Sequence, residues 1–329
     1  MHTRNPAYLM FLAMIGLSGF SPGQAFPESA RDMDMTWIEK YVTYAQDHHG
    51  RLQATDYHFM AEVIYAKRST IKNVVSFLFV EGSDTPLASY DENDPFAFTN
   101  GLFYTRKSKS YSDLASLEAA HPAIGHYVWE IHGPGGNMEL APIRIGGPEL
   151  STRIPDTSPI YLSQSGRPVT DFNNIEPDMS LGIGWDPFTI GAQLEGTNWD
   201  DLVFVLVSDC HGRVVYTSGA PEDEEGFADF STTSTEMPAE LLEPGMDYVV
   251  FISQVNYVDA NISHGIEQLA ANSFAVELEV RTAGLISPGR SCPEPAHKAA
   301  YLWSGKTPAG SGMVPWPAFL DPSNTTPEE

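Results

Sequence analysis

The chain has 329 residues, 42% of them hydrophobic and 11% aromatic, which is apolar mass enough for two cores. Against 43 acidic residues stand 18 basic ones, a net charge of −25 at pH 7, and so acidic a surface repels nucleic acid and anionic lipid. Nucleic-acid binding is therefore disfavoured.

The first element is a leader. Arg4 precedes an apolar run from Tyr8 to Leu17, and Gly23 and Ala25 stand at positions −3 and −1 of a cleavage site, the pattern of a secretory signal over residues 1–25. The run is shorter than the roughly 20 residues a bilayer span needs, and no later segment is apolar enough to cross. The mature chain is expected to be extracellular or periplasmic. Residues 33–49 place Met35, Ile38, Tyr41, Val42 and Ala45 at helical spacing with Gly50 as a stop, which predicts a short N-terminal helix ending at His48 and His49. Beyond it the pattern turns to β, with strands over 57–66, 74–80 and 96–104. A short helix over 112–120, capped by Ser112, precedes strands over 126–132 and 139–145.

The Pro- and Ser-containing connection 146–159 puts a domain boundary near residue 150. Seven strands follow, over 169–172, 180–185, 202–208, 213–218, 230–235, 248–257 and 273–282. Residues 286–329, rich in Pro, Gly and Ser, read as an extended tail. The expected fold is mainly β, with two β-sandwich-like domains in tandem: signal peptide 1–25, a helix plus sandwich over 26–150, a second sandwich over 151–285, and the tail. Cys210, at a strand end, and Cys292, in the tail, are the only cysteines. An even count in an exported chain invites a disulfide, which by loop closure would contribute about 4 kcal/mol and pin the tail to the second sandwich.

Trp185 lies on an early strand of the second domain. Leu242, Pro244, Gly245 and Tyr248 form a turn that feeds the next strand, and residues 276–280 alternate as a closing strand. On these residues the segment from about 155 to 283 resembles a fibronectin type III or related immunoglobulin-like module, at the level of fold. The resemblance implies a tyrosine corner at Tyr248 and a role as spacer or binding surface, with no chemistry attached. The acidic connection 221–225 and an insertion over 259–271 depart from that pattern. The first domain carries no motif that names a family.

The stretch 126–132, His-Tyr-Val-Trp-Glu-Ile-His, most invites an active-site reading. Strand alternation puts His126, Val128, Glu130 and His132 on one face and Tyr127, Trp129 and Ile131 in the core. Glu130 and His132, roughly 7 Å apart along the strand, could share one cation or act as a base and its orienter, whereas a solvated polar face accounts for them as well. Oxygen-rich loops offer hard ligands for calcium, with Asp91, Asn93, Asp94, Asp200 and Asp201 as candidates, although no loop has EF-hand spacing. His48 or His49 with His58, and Cys210 with His211, are weaker constellations that only the fold could assemble. There is no G-x-S-x-G elbow, H-E-x-x-H, P-loop or dinucleotide fingerprint. Trp199, Tyr90, Phe227, Trp303 and Trp316 could stack on sugars or serve as anchors.

Two classes of function stay open. The first is a secreted, non-enzymatic binding or structural protein that presents sandwich loops to a glycan or an extracellular protein, with calcium as the one cofactor in question. The second is a secreted glycan-acting lyase or hydrolase that uses Glu130 and His132.

Overall fold

Residues 33–46 are a strand, not the expected N-terminal helix. The computed structural model describes residues 33–65, 74–90, 103–122, 125–133, 136–146, 158–197, 199–218, 228–285 and 292. The first half of the chain gives β1 (Met33–Gln46), β2 (Leu52–Tyr65), β3 (Val75–Val80), β4 (Ala88–Tyr90), β5 (Phe103–Lys107), the helix α1 (Leu114–Ala120), β6 (His126–Gly133), β7 (Gly136–Glu139) and β8 (Ile143–Arg144). The second half gives β9 (Tyr161–Gln164), β10 (Arg167–Pro168), β11 (Leu181–Gly184), β12 (Leu202–Asp209), β13 (Val214–Thr217), β14 (Ala228–Asp229), β15 (Ser234–Met237), β16 (Asp247–Ser263) and β17 (Ile266–Arg281).

The helical spacing in β1 misled because both faces of this strand are covered. Ile38 and Val42 point to one side and Tyr41 to the other, so apolar residues fall on both parities. Its β-branched and aromatic content, Thr36, Trp37, Ile38, Tyr41, Val42, Thr43 and Tyr44, favours a pleated backbone once neighbours are present. β1 runs parallel to β17 and antiparallel to β2, in an eight-stranded sheet of order β13-β12-β16-β17-β1-β2-β5, with β14 beside β12. His48 and His49 accordingly sit in the β1–β2 turn, where Asp47 Oδ1 accepts the His49 and Arg51 amides at 2.8 and 2.9 Å.

Two smaller sheets lie in line on one face of the long sheet. β4-β3-β6-β7, with β8 beside β6, covers one end, and β10-β9-β11-β15 covers the other. Parity shows that they share a wall. On β1, Ile38 belongs to the first core and Val42, four residues on, to the second; on β17, Ile266 and Ala270 belong to the first and Phe274, Val276 and Leu278 to the second. The long sheet thus takes strands from both sides of residue 150. The segment 259–271, an insertion relative to the resembled module, is the far end of the β16–β17 hairpin, which extends over the first core. The short helix appears as expected at 114–120, capped by Asp113, whose Oδ1 accepts the Ser116 amide at 2.7 Å, rather than by Ser112. Glu118 of this helix meets the buried Lys40 ammonium of β1 at 2.6 Å.

The fibronectin type III or immunoglobulin-like sandwich is present. Sheet β9-β11-β15 faces β13-β12-β16-β17 across a core that contains Trp185, Val205, Val250, Ile252 and Phe274. Tyr248 opens β16, and its hydroxyl accepts the Glu243 amide at 2.7 Å over the Pro244–Gly245 turn, where Gly245 has a φ of 69° that favours glycine. Tyr248→Phe would leave that amide without its acceptor. The expected loss is about 1 to 2 kcal/mol in chemical denaturation, with no change in the circular dichroism of the native state.

Candidate functional site

Glu130 and His132 do meet, His132 Nε2 lying 3.1 Å from Glu130 Oε2 on the outer face of β6. Both are about one-third exposed, and His132 rests on the half-buried Phe77 ring at 4.9 Å. Beneath them Tyr127, Trp129 and Ile131 are fully buried, as the alternation requires. Among the described residues no Arg, Tyr or second carboxylate hydrogen-bonds to this pair. His126 is engaged separately, 2.7 Å from Glu81.

Of the calcium candidates, Asp91, Asn93 and Asp94 lie outside the described residues. Asp200 is exposed. Asp201 is 1% exposed, and its carboxylate is already occupied: Oδ2 accepts the Ala192 amide at 3.0 Å and Asn256 Nδ2 at 2.6 Å, and Oδ1 accepts the Tyr257 amide at 2.7 Å. It fastens the 191–201 loop to the β-bulge of β16. Among the described residues no three His, Cys, Asp or Glu side chains group as a metal site would need. Cys210 and Cys292 form the expected disulfide, with Cα atoms 5.4 Å apart. His48 and His49, in the turn, and His58, midway along β2 opposite Tyr41, are set about 20 Å apart by strand rise and share no site. His211 lies in the β12–β13 turn, where its amide donates to Asp209, and Cys210 is tied up in the disulfide.

Sequence reasoning missed a buried ionic cluster on the other face of the long sheet. His58 Nδ1 is 3.2 Å from Asp56 Oδ2, Lys107 donates to the same oxygen at 3.1 Å, and the Tyr41 ring lies 4.7 Å from the imidazole. Burial pushes Glu39 up to about 8, offset in part by the Ser273 hydroxyl, and pushes Glu277 up to about 7, offset by Lys107. Burial lowers His58 to about 4 against the pull of Asp56, and lowers His121 likewise to about 4.

These shifts set the pH dependence of stability. The two glutamates favour the folded state fully below their unfolded value of 4.5 and lose that contribution as pH rises through 7 and 8. The two histidines contribute above their unfolded value of 6.5 and lose it as pH falls through 4. Between 4.5 and 6.5 the opposed terms cancel, and above 6.5 only the glutamates act. The thermal midpoint is therefore expected to fall between pH 6.5 and 8, and to fall less steeply in Glu39→Gln, which has no proton to lose.

A second feature that sequence reasoning missed is a groove of about 1040 Å³ that runs from the His48-His49-Gly50 turn across β9, β11 and β15. Its floor is β11, where Leu181 and Ile183 point into the core and Gly182 and Gly184 face outward with no side chain. Register places Ser163 and Glu236 on either side of Gly182, and Tyr161 and Ser234 on either side of Gly184. A Cβ at Gly182 would run into the Ser163 hydroxyl, whereas one at Gly184 would meet nothing nearer than 3.6 Å. Tyr161 is 52% exposed, and its hydroxyl donates to Asp186 Oδ1 at 3.1 Å, which steadies the ring at the rim. The Ser180 hydroxyl donates to Glu236 Oε1. Gln46, at the end of β1, locks the turn against β9: its amide nitrogen donates to the Ile160 carbonyl at 2.9 Å and its oxygen accepts the Ile160 amide at 2.6 Å. The signal was present in Leu181-Gly-Ile-Gly184, a strand with one face bare.

Together these features describe a mainly β protein with a fibronectin type III-like sandwich and an open groove on its smaller sheet. No protein-family model matches the sequence, and no curated protein does. Among solved structures it is similar to the FN1–FN3 domains of chicken CNTN1, at 9% identity and a TM-score of 0.22, over 77% of this chain and 66% of that one. It is also similar to the BSP domain of a biofilm-associated protein, at 11% identity and a TM-score of 0.20, over 76% of this chain and 30% of that one. The chain thus spans just under two thirds of the first and under a third of the second. Neither likeness bears on what the chain binds.

Proposed function

We propose that this is an exported, non-enzymatic binding protein whose ligand face is the groove over β9, β11 and β15. The observation that carries the reading is the bare glycine floor of β11, flanked by hydroxyls, a carboxylate and an exposed tyrosine, on a sheet whose other side is fully packed. A rigid, buried scaffold that presents a few convergent polar groups and an aromatic in a concavity is the usual form of a recognition site. The disulfide and the signal-like leader support export, and no described helix is long and apolar enough to cross a membrane. Glu130 and His132, on an open strand face, support the enzyme reading less well.

The test is a screen of the full chain against immobilised glycans and extracellular proteins, run beside polysaccharide depolymerisation assays, with calcium and with chelator. Retention of a partner without product release is expected. Product release that disappears in Glu130→Ala would overturn the reading in favour of the lyase or hydrolase.

A further inference from the structure

Resting on that reading, we infer that the groove takes an uncharged polysaccharide chain, with one pyranose ring stacked on Tyr161 and its neighbours lying over Gly184 and Gly182. Three observations on the groove select this occupant over the alternatives.

The first is how the floor is bonded. β11 pairs with β9 on one side and with β15 on the other, so its backbone donors and acceptors are already used. A peptide that adds to a sheet needs a free edge, and this strand has none. On this floor, inside the β15 edge, recognition comes from side chains and from the ring face, which is how a sugar is read.

The second is what those side chains are. Ser163, Ser234 and Ser180 offer hydroxyls that donate and accept, and Glu236 accepts, a set matched to sugar hydroxyls. The outward face of β11 carries no large apolar anchor of the kind that dominates protein interfaces; beside it Tyr161 of β9 is exposed and Phe172 in the wall is half-buried, and an aromatic face suits the C–H side of a pyranose. Gly184 lets a ring approach the sheet backbone closely, which any other residue would prevent, while over Gly182 the Ser163 hydroxyl already stands, placed to bond a sugar hydroxyl.

The third is charge. Among the described residues that line the groove, Glu236 is the one carboxylate, His48 and His49 stand in the wall, and none is a Lys or Arg. The chain as a whole carries −25. A polyanionic glycan would meet repulsion with no cation to hold it, so an uncharged chain is selected.

The test uses the full chain and soluble neutral glycans, namely β-glucan, xylan, mannan and galactan oligosaccharides, beside the polyanions alginate and polygalacturonate, read by calorimetry and affinity electrophoresis. Binding to at least one neutral glycan is expected. Tyr161→Ala and Gly184→Val should each weaken it tenfold or more, and Tyr161→Phe, which keeps the ring, should retain most of it. Gly184→Val is chosen because its Cβ fits in ordinary contact, so the sheet should survive, and circular dichroism checks that it does.

Binding to the polyanions alone, or to none of the panel, overturns the inference. So does neutral-glycan binding that both groove variants leave intact. If a protein partner is retained instead and Tyr161→Ala releases it, the groove stands as the ligand face and only its glycan occupant is refuted.

Discussion

Cys210→Ser is expected to lower the stability of the folded chain by about 4 kcal/mol and its thermal midpoint by about 12 °C, relative to the oxidised parent. The bridge closes a loop with a sequence separation of 82, so reduction frees the unfolded chain to explore far more conformations. The native state loses as well, because Cys210 is buried at the end of β12 and Cys292 packs against the sandwich core. The check is thermal unfolding with and without reductant. The parent under reductant should fall to the midpoint of the variant, and the variant should not respond to reductant.

Asp201→Ala is expected to cost about 3 to 5 kcal/mol. The carboxylate receives the Ala192 and Tyr257 amides and the Asn256 side chain, all at 3.0 Å or less, inside a site that is 1% exposed. Removing it strands two buried donors, the Asn256 side-chain amide and the Tyr257 N–H, together with the part-buried Ala192 amide, and the penalty for a buried unsatisfied donor exceeds the net worth of the bond it made. Asp201→Asn keeps one carbonyl acceptor but adds donors among donors, so it should recover only part of the loss. The 191–201 loop should also loosen, which would show as faster amide exchange at Ala192 and Leu194 and as a changed Trp199 fluorescence, since Trp199 donates to Glu267 at 2.7 Å from that loop.

What could be read in the sequence divides along the range of the interactions. Strand positions with one covered face were legible: in β6, Tyr127, Trp129 and Ile131 alternate into the core, and the pairing of Glu130 with His132 follows from the same alternation. The Tyr248 corner was legible because its partner, Glu243, lies five residues away. β1 was not, because a strand covered on both sides loses the period of two. Its partner β17 lies more than 200 residues on in the chain, with no local signal for a parallel pairing.

The groove escaped for a different reason. Glycines on a strand carry no signal of their own, and the meaning of Gly182 and Gly184 rests on which neighbours flank them, Ser163 and Tyr161 from β9 and Glu236 and Ser234 from β15. Local composition makes the carboxylate of Asp201 a candidate cation ligand, while the partners that occupy it, Asn256 and Tyr257, lie 55 and 56 residues away.

If recognition resides on the glycine-floored groove and not on the β6 face, as proposed, substitutions on the two faces will part company. The most direct measurement compares Tyr161→Ala and Glu130→Ala, side by side with the parent, for retention on an array of glycans and extracellular proteins and for release of polysaccharide fragments. Tyr161→Ala is expected to lose retention, Glu130→Ala to keep it, and none of the three to release product. Retention or turnover lost in Glu130→Ala and unchanged in Tyr161→Ala would contradict it.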